Sequence, residues 1–373
     1  MLGKILESES NKQEILNMEF ERNYGIDLLR IISMFFVIIL HCLGQGGILN
    51  NAKIDSIQYK FAWFIEICSY CAVNIFALIS GYVSYTNKEK KVKYSNYIYN
   101  WLQIVFYGLI VTLIFDLINT SLVSKKDYLI VLFPVTNNLY WYFTAYTGLY
   151  FIIPFLNNGI RNCTIPTMKR IFIIIIIFFS IINTFTNVFV LNAGYSFIWI
   201  LLLYILGATI KKCNIGNKLK NHQFIFYMLS LCFITYLLKI YGLEIPINLV
   251  SYTSPTILGI AILYIIIFSK IKLNVFSKKL VKFAAPSAFT IYILNNHRLI
   301  WKYIMKDLFI NLSNQPIIKI FIFIMGFSSL FVICSILIDK IRRLIFNKLH
   351  INVFVDKINN LLDILLNKIQ NLI

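Results

Sequence analysis

The stretch Ile26 to Leu43, IDLLRIISMFFVIILHCL, constrains this chain more than any other. It has the length and apolarity of a transmembrane helix, yet it carries Asp27, Arg30 and His41. A charge at mid-bilayer costs at least ~2.5–3.5 kcal/mol on insertion scales, so such residues face a bundle interior and usually serve a function. Arg30 and His41 are eleven positions apart. At about 100° per residue that is three turns plus roughly 20°, so the two share one helix face. Their axial separation is about 16.5 Å, close to half of a ~30 Å hydrocarbon core. A guanidinium near one membrane surface and an imidazole deep on the same stripe read as two ends of a channel through a helix bundle. The plainer reading is interfacial, with Arg30 snorkelling to one surface and His41 resting at the other.

The rest of the chain continues in the same manner. Apolar stretches at 61–83, 97–118, 139–157, 171–190, 196–210, 223–241, 250–269, 284–303 and 316–338 bring the expected number of spans to ten. The fold class expected is therefore an all-α integral membrane protein, a polytopic bundle of about ten transmembrane helices. The fourth stretch is aromatic and interrupted by Pro154, which suits a helix lining something rather than facing lipid. Residues 1–25 read as a cytoplasmic lead without a cleavable signal pattern, and 26–338 as the membrane domain. Residues 339–373 repeat apolar positions at three- and four-residue spacing among Lys, Arg, Asp and Asn, the pattern of an amphipathic cytoplasmic helix on the membrane surface.

Lysine and arginine in the short loops set the orientation. One set of alternate loops holds 16 of these residues and the other 6, so the first set and both termini are expected on the cytoplasmic side of the cell membrane. That topology accounts for much of the net charge of +19, which would otherwise suggest nucleic acid. The chain is 59% hydrophobic and 14% charged, against about 45–50% and 25% in soluble domains, and nucleic-acid binding is not expected. Seven cysteines are scattered through apolar stretches. Cys68 and Cys71 form a C-x-x-C inside a helical run with no second ligand pair, so they read as packing residues and no metal site is expected.

Several phrases, in order, resemble those of the membrane-bound acyltransferase family 3, bacterial proteins that O-acylate cell-surface carbohydrates. Asp27-x-x-Arg30 followed by ten residues and His41 matches the spacing of that family's first helix. Phe76-Ala-Leu-Ile-Ser80-Gly81-Tyr82 is similar to its second-helix phrase. Trp141 through Pro154 and Asn157, Tyr204 to Gly207, and Ile291-Tyr292 correspond to later ones. Two departures stand out. Where the family carries arginines ahead of a proline-containing helix start, this chain has Lys88, Lys91 and Lys93 and no proline. Lysine neutralises phosphate without gripping it bidentately. Where relatives place a histidine after the Ile-Tyr phrase, Asn295 and Asn296 precede His297 and Arg298.

The resemblance implies transfer of an acyl group, most simply acetyl, from cytoplasmic acyl-CoA to a hydroxyl of an extracytoplasmic or lipid-linked surface glycan. Acetyl-CoA would then be a co-substrate, with no permanently bound cofactor. Such transfer needs a base for the attacking hydroxyl and positive groups for phosphate or oxyanion. His41 is expected as base or transient acyl carrier, Arg30 as the group that orients the donor, and Asp27 as its support, three residues away on the helix. Lys88, Lys91 and Lys93 are candidates for the donor's phosphates. Trp141 and Tyr146 could form a platform for the acceptor sugar, with Asn295, His297 and Arg298 beside it, although an interfacial aromatic belt would look similar. Glu66 and Asp116 are further buried or interfacial acids, ranked below the first-helix pair. Expected partners are the lipid bilayer, the glycan acceptor and separate glycan-assembly proteins. A transporter or flippase for a glycan or lipid precursor would use similar charges without an acyl donor.

Overall fold

The computed structural model describes residues 22–88, 93–186, 188–218, 220–242 and 249–370, and these contain helices and loops without a strand. The helices that position the site are α1 (Tyr24–Leu43), α2 (Ile57–Ser69), α3 (Ala72–Ser84), α4 (Tyr94–Ile118), α5 (Lys125–Leu132), α6 (Trp141–Asn162) and α7 (Ile165–Ile174). They continue with α8 (Phe197–Lys212), α9 (Asn221–Tyr241), α10 (Pro255–Ser269), α11 (Val275–Ala284), α12 (Ala288–Asn295), α13 (Ile317–Lys348) and α14 (Ile351–Gln370).

Six helical stretches are long and apolar enough to cross a bilayer: Tyr24–Asn51, Ile57–Ser84, Tyr94–Ile118, Ile165–Thr186, Asn221–Tyr241 and Ile317–Lys348. They coincide with six of the ten expected spans. The other four differ in physical character. The fourth is the 22-residue α6, rich in Tyr and Asn, while α8 and α10 have 16 and 15 residues. The ninth is broken. Its polypeptide turns out of α12 at Asn296, and His297 caps a new short helix by accepting the backbone N–H of Leu299 on Nδ1 at 3.3 Å. The residues before it, 275–284, form the separate helix α11, where the lysine count had suggested only a loop.

α1 runs through the middle, packed against α2, α3, α10, α11, α12 and α13. Its N-terminus is capped by Asn23, whose Oδ1 accepts the Ile26 N–H at 3.1 Å and whose Nδ2 donates to the Ser269 carbonyl at 2.8 Å. At its other end Gly47, with φ +91°, turns the chain into a conformation that side chains resist. The Gln45 and Gly46 carbonyls accept the N–H groups of Asp307 and Phe309 at 2.9 and 2.8 Å, so the end of α1 is zipped to the segment after α12.

α3 and α8 meet backbone to backbone. A Cβ at Gly81 would fall 1.9 Å from the Tyr204 carbonyl oxygen, and one at Gly207 would fall 2.0 Å from that of Leu78. The Ser-Gly-Tyr phrase and the Tyr204–Gly207 helix thus form the two halves of one close crossing. α6 joins this pair: the Tyr204 hydroxyl donates to Asn157 Oδ1 at 2.8 Å, and Lys212 Nζ donates to the carbonyls of Ile160, Arg161 and Cys163 at the C-terminal end of α6.

α13 passes without interruption through the boundary expected at 338/339, which corrects the reading of the tail. Asp339 is fully buried and accepts hydrogen bonds from Tyr107, Ser287 and Thr290 at 3.0, 2.8 and 2.7 Å. It also pairs with Arg342 at 2.8 Å and Arg343 at 3.1 Å. The charges sit at three- and four-residue spacing because they share one buried helix face, a pattern that a surface helix also shows. The chain leaves α13 at Leu349 and continues as α14, which lies against α4, where Asn359 Oδ1 accepts the Ser95 N–H at 3.1 Å.

Candidate active site

His41 lies in the last turn of α1. Its Nδ1 is hydrogen-bonded to Asn295 Oδ1 at the end of α12, and its ring stands edge-on to Trp301 with centroids 4.4 Å apart. A carbonyl oxygen facing Nδ1 puts the ring proton on that nitrogen and leaves Nε2 as a free acceptor. Three features of the broken ninth stretch make this geometry. α12 ends at Asn295, the break redirects the chain, and the zipper to Gln45 and Gly46 returns Trp301 to the imidazole. Asn295 is wholly buried, and its Nδ2 has no partner among the described residues.

His41 lines a cavity of about 810 Å³ whose walls include Glu66, Tyr70, Trp141, Tyr195, Tyr252 and Arg298. That volume lies within the range of small-molecule sites, about 300–1,000 Å³. Over it lie α5 and the following residues, with Lys126, Ile130, Asn137, Asn138 and Leu139 in the lining. Asp127 of α5 pairs with Arg298 at 3.0 Å and accepts the Ser124 hydroxyl at 2.7 Å. Burial pushes the Asp127 carboxyl up, but the Ser124 hydrogen bonds and the charges of Arg298 and Lys302 carry it below its ordinary value.

Arg30 lines a second cavity of about 230 Å³ with Ser80, Asn100, Phe143, Tyr146 and Phe289. Phe76 and Tyr142 line both this cavity and the large one, and their rings meet edge-on at 5.5 Å. A third cavity, of about 650 Å³, shares Asn100 and Tyr146 with the second and is lined by Lys88, Lys93, Asn96, Asn157 and Arg161 among others. The three cavities therefore form a series in which Arg30 belongs to the middle and His41 to one end.

Asp27 lies beside Arg30, with Arg30 Nη1 at 3.4 Å from its Oδ1, and it also pairs closely with Arg22. Tyr146 does not join Trp141. Five helical residues place them about 140° apart, so Trp141 lines the His41 cavity and Tyr146 the Arg30 cavity. His297 is buried and spends its Nδ1 on the helix cap, and it is not among the lining residues of the His41 cavity, whereas Asn296 and Arg298 are. Lys88 and Lys93 line the third cavity, and Lys91 lies outside the described residues. Sequence reading missed Trp301, Tyr70, Tyr195 and Tyr252, because isolated aromatics in apolar stretches carry no signal of what they face.

A family model described as an acyltransferase domain matches residues 23–341. The chain belongs to acyltransferase family 3. The match covers the elements that build the site, from the cap of α1 to the buried Asp339 of α13, and makes this multi-pass membrane protein an acyltransferase. No curated protein and no solved structure matches the chain. In this acyltransferase the first-helix Asp-Arg-His phrase spans two cavities, and the Ser-Gly-Tyr phrase supplies both Ser80 beside Arg30 and the glycine contact that holds α3 to α8.

Proposed function

We propose that this acyltransferase moves an acetyl group across the membrane, from cytoplasmic acetyl-CoA to a hydroxyl of a surface glycan, with His41 at the point of transfer. The observation that carries the reading is the series of three cavities along one path. The end with Lys88, Lys93 and Arg161 suits the phosphates of an acyl-CoA, and the aromatic end with His41 suits a sugar. In this reading the bundle crosses the cell membrane ten times, with both termini cytoplasmic and α14 on the inner surface. α6, α8, α10 and the broken ninth stretch with α12 complete the crossings within the bundle, where neighbouring helices satisfy their short or polar ends.

The chemistry follows from the site. The thioester reaches His41 past Arg30 and past the paired rings of Phe76 and Tyr142. Nε2 of His41 takes the proton of the acceptor hydroxyl as its oxygen attacks the acyl carbon. The new C–O bond forms, the C–S bond breaks, and the thiolate leaves with the proton returned by the imidazolium. Asn295 holds the ring in the required tautomer, as the third member of a nucleophile–base–orienter set does. Arg30, held by Asp27, steadies the donor on the way in.

The test uses washed membranes bearing the wild type or His41→Ala, given labelled acetyl-CoA and a surface-glycan fraction. Label should enter glycan with the wild type and fall about 10²–10⁴-fold with the variant, the usual worth of a positioned base. Equal labelling by both would remove His41 from the mechanism. Absence of label with both, at normal expression and with other acyl-CoAs tried, would favour a transporter of a glycan or lipid precursor.

A further inference from the structure

Glu66 sits on α2, one helical turn before Tyr70, and lines the same cavity as His41. It is 8% exposed, and its Oε2 is fully enclosed without a partner. Among the described residues no hydrogen bond or ion pair reaches either oxygen. A buried carboxyl in that condition is expensive, and proteins ordinarily pair such a group or neutralise it. The contrast with Asp339 is instructive, since that still more deeply buried acid is held by three side-chain hydroxyls and two arginines. The fold therefore provides for one buried carboxyl and leaves the other open to a cavity.

The aromatic rings of that cavity form a continuous wall. Tyr70 and Tyr252 have centroids 4.9 Å apart, Tyr252 and Tyr195 5.1 Å, and Tyr195 and Trp141 4.7 Å. A wall of tilted rings with an unsatisfied carboxyl and an imidazole opening on the same space matches the chemistry of a pyranose. The C–H face of such a sugar packs on rings while its hydroxyls donate to a carboxyl oxygen. Apolar lipid tails would leave Glu66 unpaired, and a phosphate would repel it.

We propose that Glu66 is the sugar-binding carboxyl of the outer cavity, accepting a hydrogen bond from a hydroxyl next to the one presented to His41. This deepens the acyl-transfer reading and rests on it. Glu66 then binds the acceptor and sets which hydroxyl is acylated, without taking part in the acyl step. A sugar hydroxyl supplies the hydrogen bond that Glu66 lacks among the described residues.

Two measurements test it. The first compares wild type, Glu66→Gln, Glu66→Asp and His41→Ala in membranes, with a surface-oligosaccharide fraction quantified as hexose. Glu66→Gln should raise the half-saturating oligosaccharide concentration about three- to tenfold, the worth of one hydrogen bond. Half-saturation by acetyl-CoA should stay unchanged, and Glu66→Asp should recover part of the loss. The second follows labelling of the Glu66 peptide by dicyclohexylcarbodiimide, which the same oligosaccharide should slow in both wild type and His41→Ala. Unchanged oligosaccharide dependence in Glu66→Gln, or labelling indifferent to oligosaccharide, overturns the proposal. Transfer by His41→Ala at the wild-type rate would overturn the role of His41 alone, because protection of Glu66 does not require transfer.

Discussion

At the scale of single residues, the acyl-transfer reading depends on one imidazole and the groups that orient it. In that reading Asn295 contributes through His41, to which it is hydrogen-bonded, and not through substrate. Asn295→Ala should leave His41 present but free to rotate and to exchange tautomers. Transfer of labelled acetyl should then fall about tenfold, near the ~1–1.5 kcal/mol of one hydrogen bond, and less than in His41→Ala. If Asn295→Ala matched the wild type, the orienter role would be lost. The Asp-Arg-His phrase was visible in the chain because three polar residues in an apolar helix stand out. Asn295 was visible only as one of several candidates beside His297. Which of them meets His41 depended on where α12 ends, and a break of one residue more or less would have turned another side chain inward.

At the scale of elements, the α3–α8 crossing fixes the wall that carries Phe76 and Ser80. Gly81→Ala or Gly207→Ala would drive a methyl into a facing carbonyl, and each should destabilise the protein by about 1–3 kcal/mol. Melting in detergent should show this against Gly326→Ala, where nothing lies within 4 Å of the new methyl and helix propensity gains slightly. Equal melting of all three variants would sink the argument. The buried ion pairs make a larger claim. Asp339→Ala leaves Arg342 buried and unpaired between α4, α12 and α13, and should cost about 3–5 kcal/mol. Asp339→Asn, which keeps hydrogen-bonding capacity, should cost less. A negligible loss in Asp339→Ala would mean that water reaches Arg342. These contacts were hidden in the sequence, since Asp-x-x-Arg at the end of an apolar stretch looks like the start of a surface tail whether its face is buried or wet.

At the scale of the whole molecule, the three cavities share lining side chains, and in the proposed path Phe76 against Tyr142 forms the passage between Arg30 and His41. Phe76→Trp should narrow it. The expected result is slower acetyl transfer with little change in the half-saturating concentration of either substrate, measured by initial rates over a grid of both. A rise in either half-saturation with an unchanged maximal rate would place Phe76 in a binding site instead of a passage. The sequence alone determined that the chain is an all-helical membrane protein, that its polar first helix matters, and that its ordered phrases are those of a membrane acyltransferase family. The first two conclusions rest on composition, periodicity and spacing along one helix, which local chemistry dictates, and the third rests on the resemblance of those phrases to the family's. The tertiary structure decided that Arg30 and His41 open into different cavities, that Tyr146 sides with Arg30 and Trp141 with His41, and that Glu66 is left without a partner. Those facts depend on helix breaks and on which faces pack together, and burial is decided between elements rather than within any one of them.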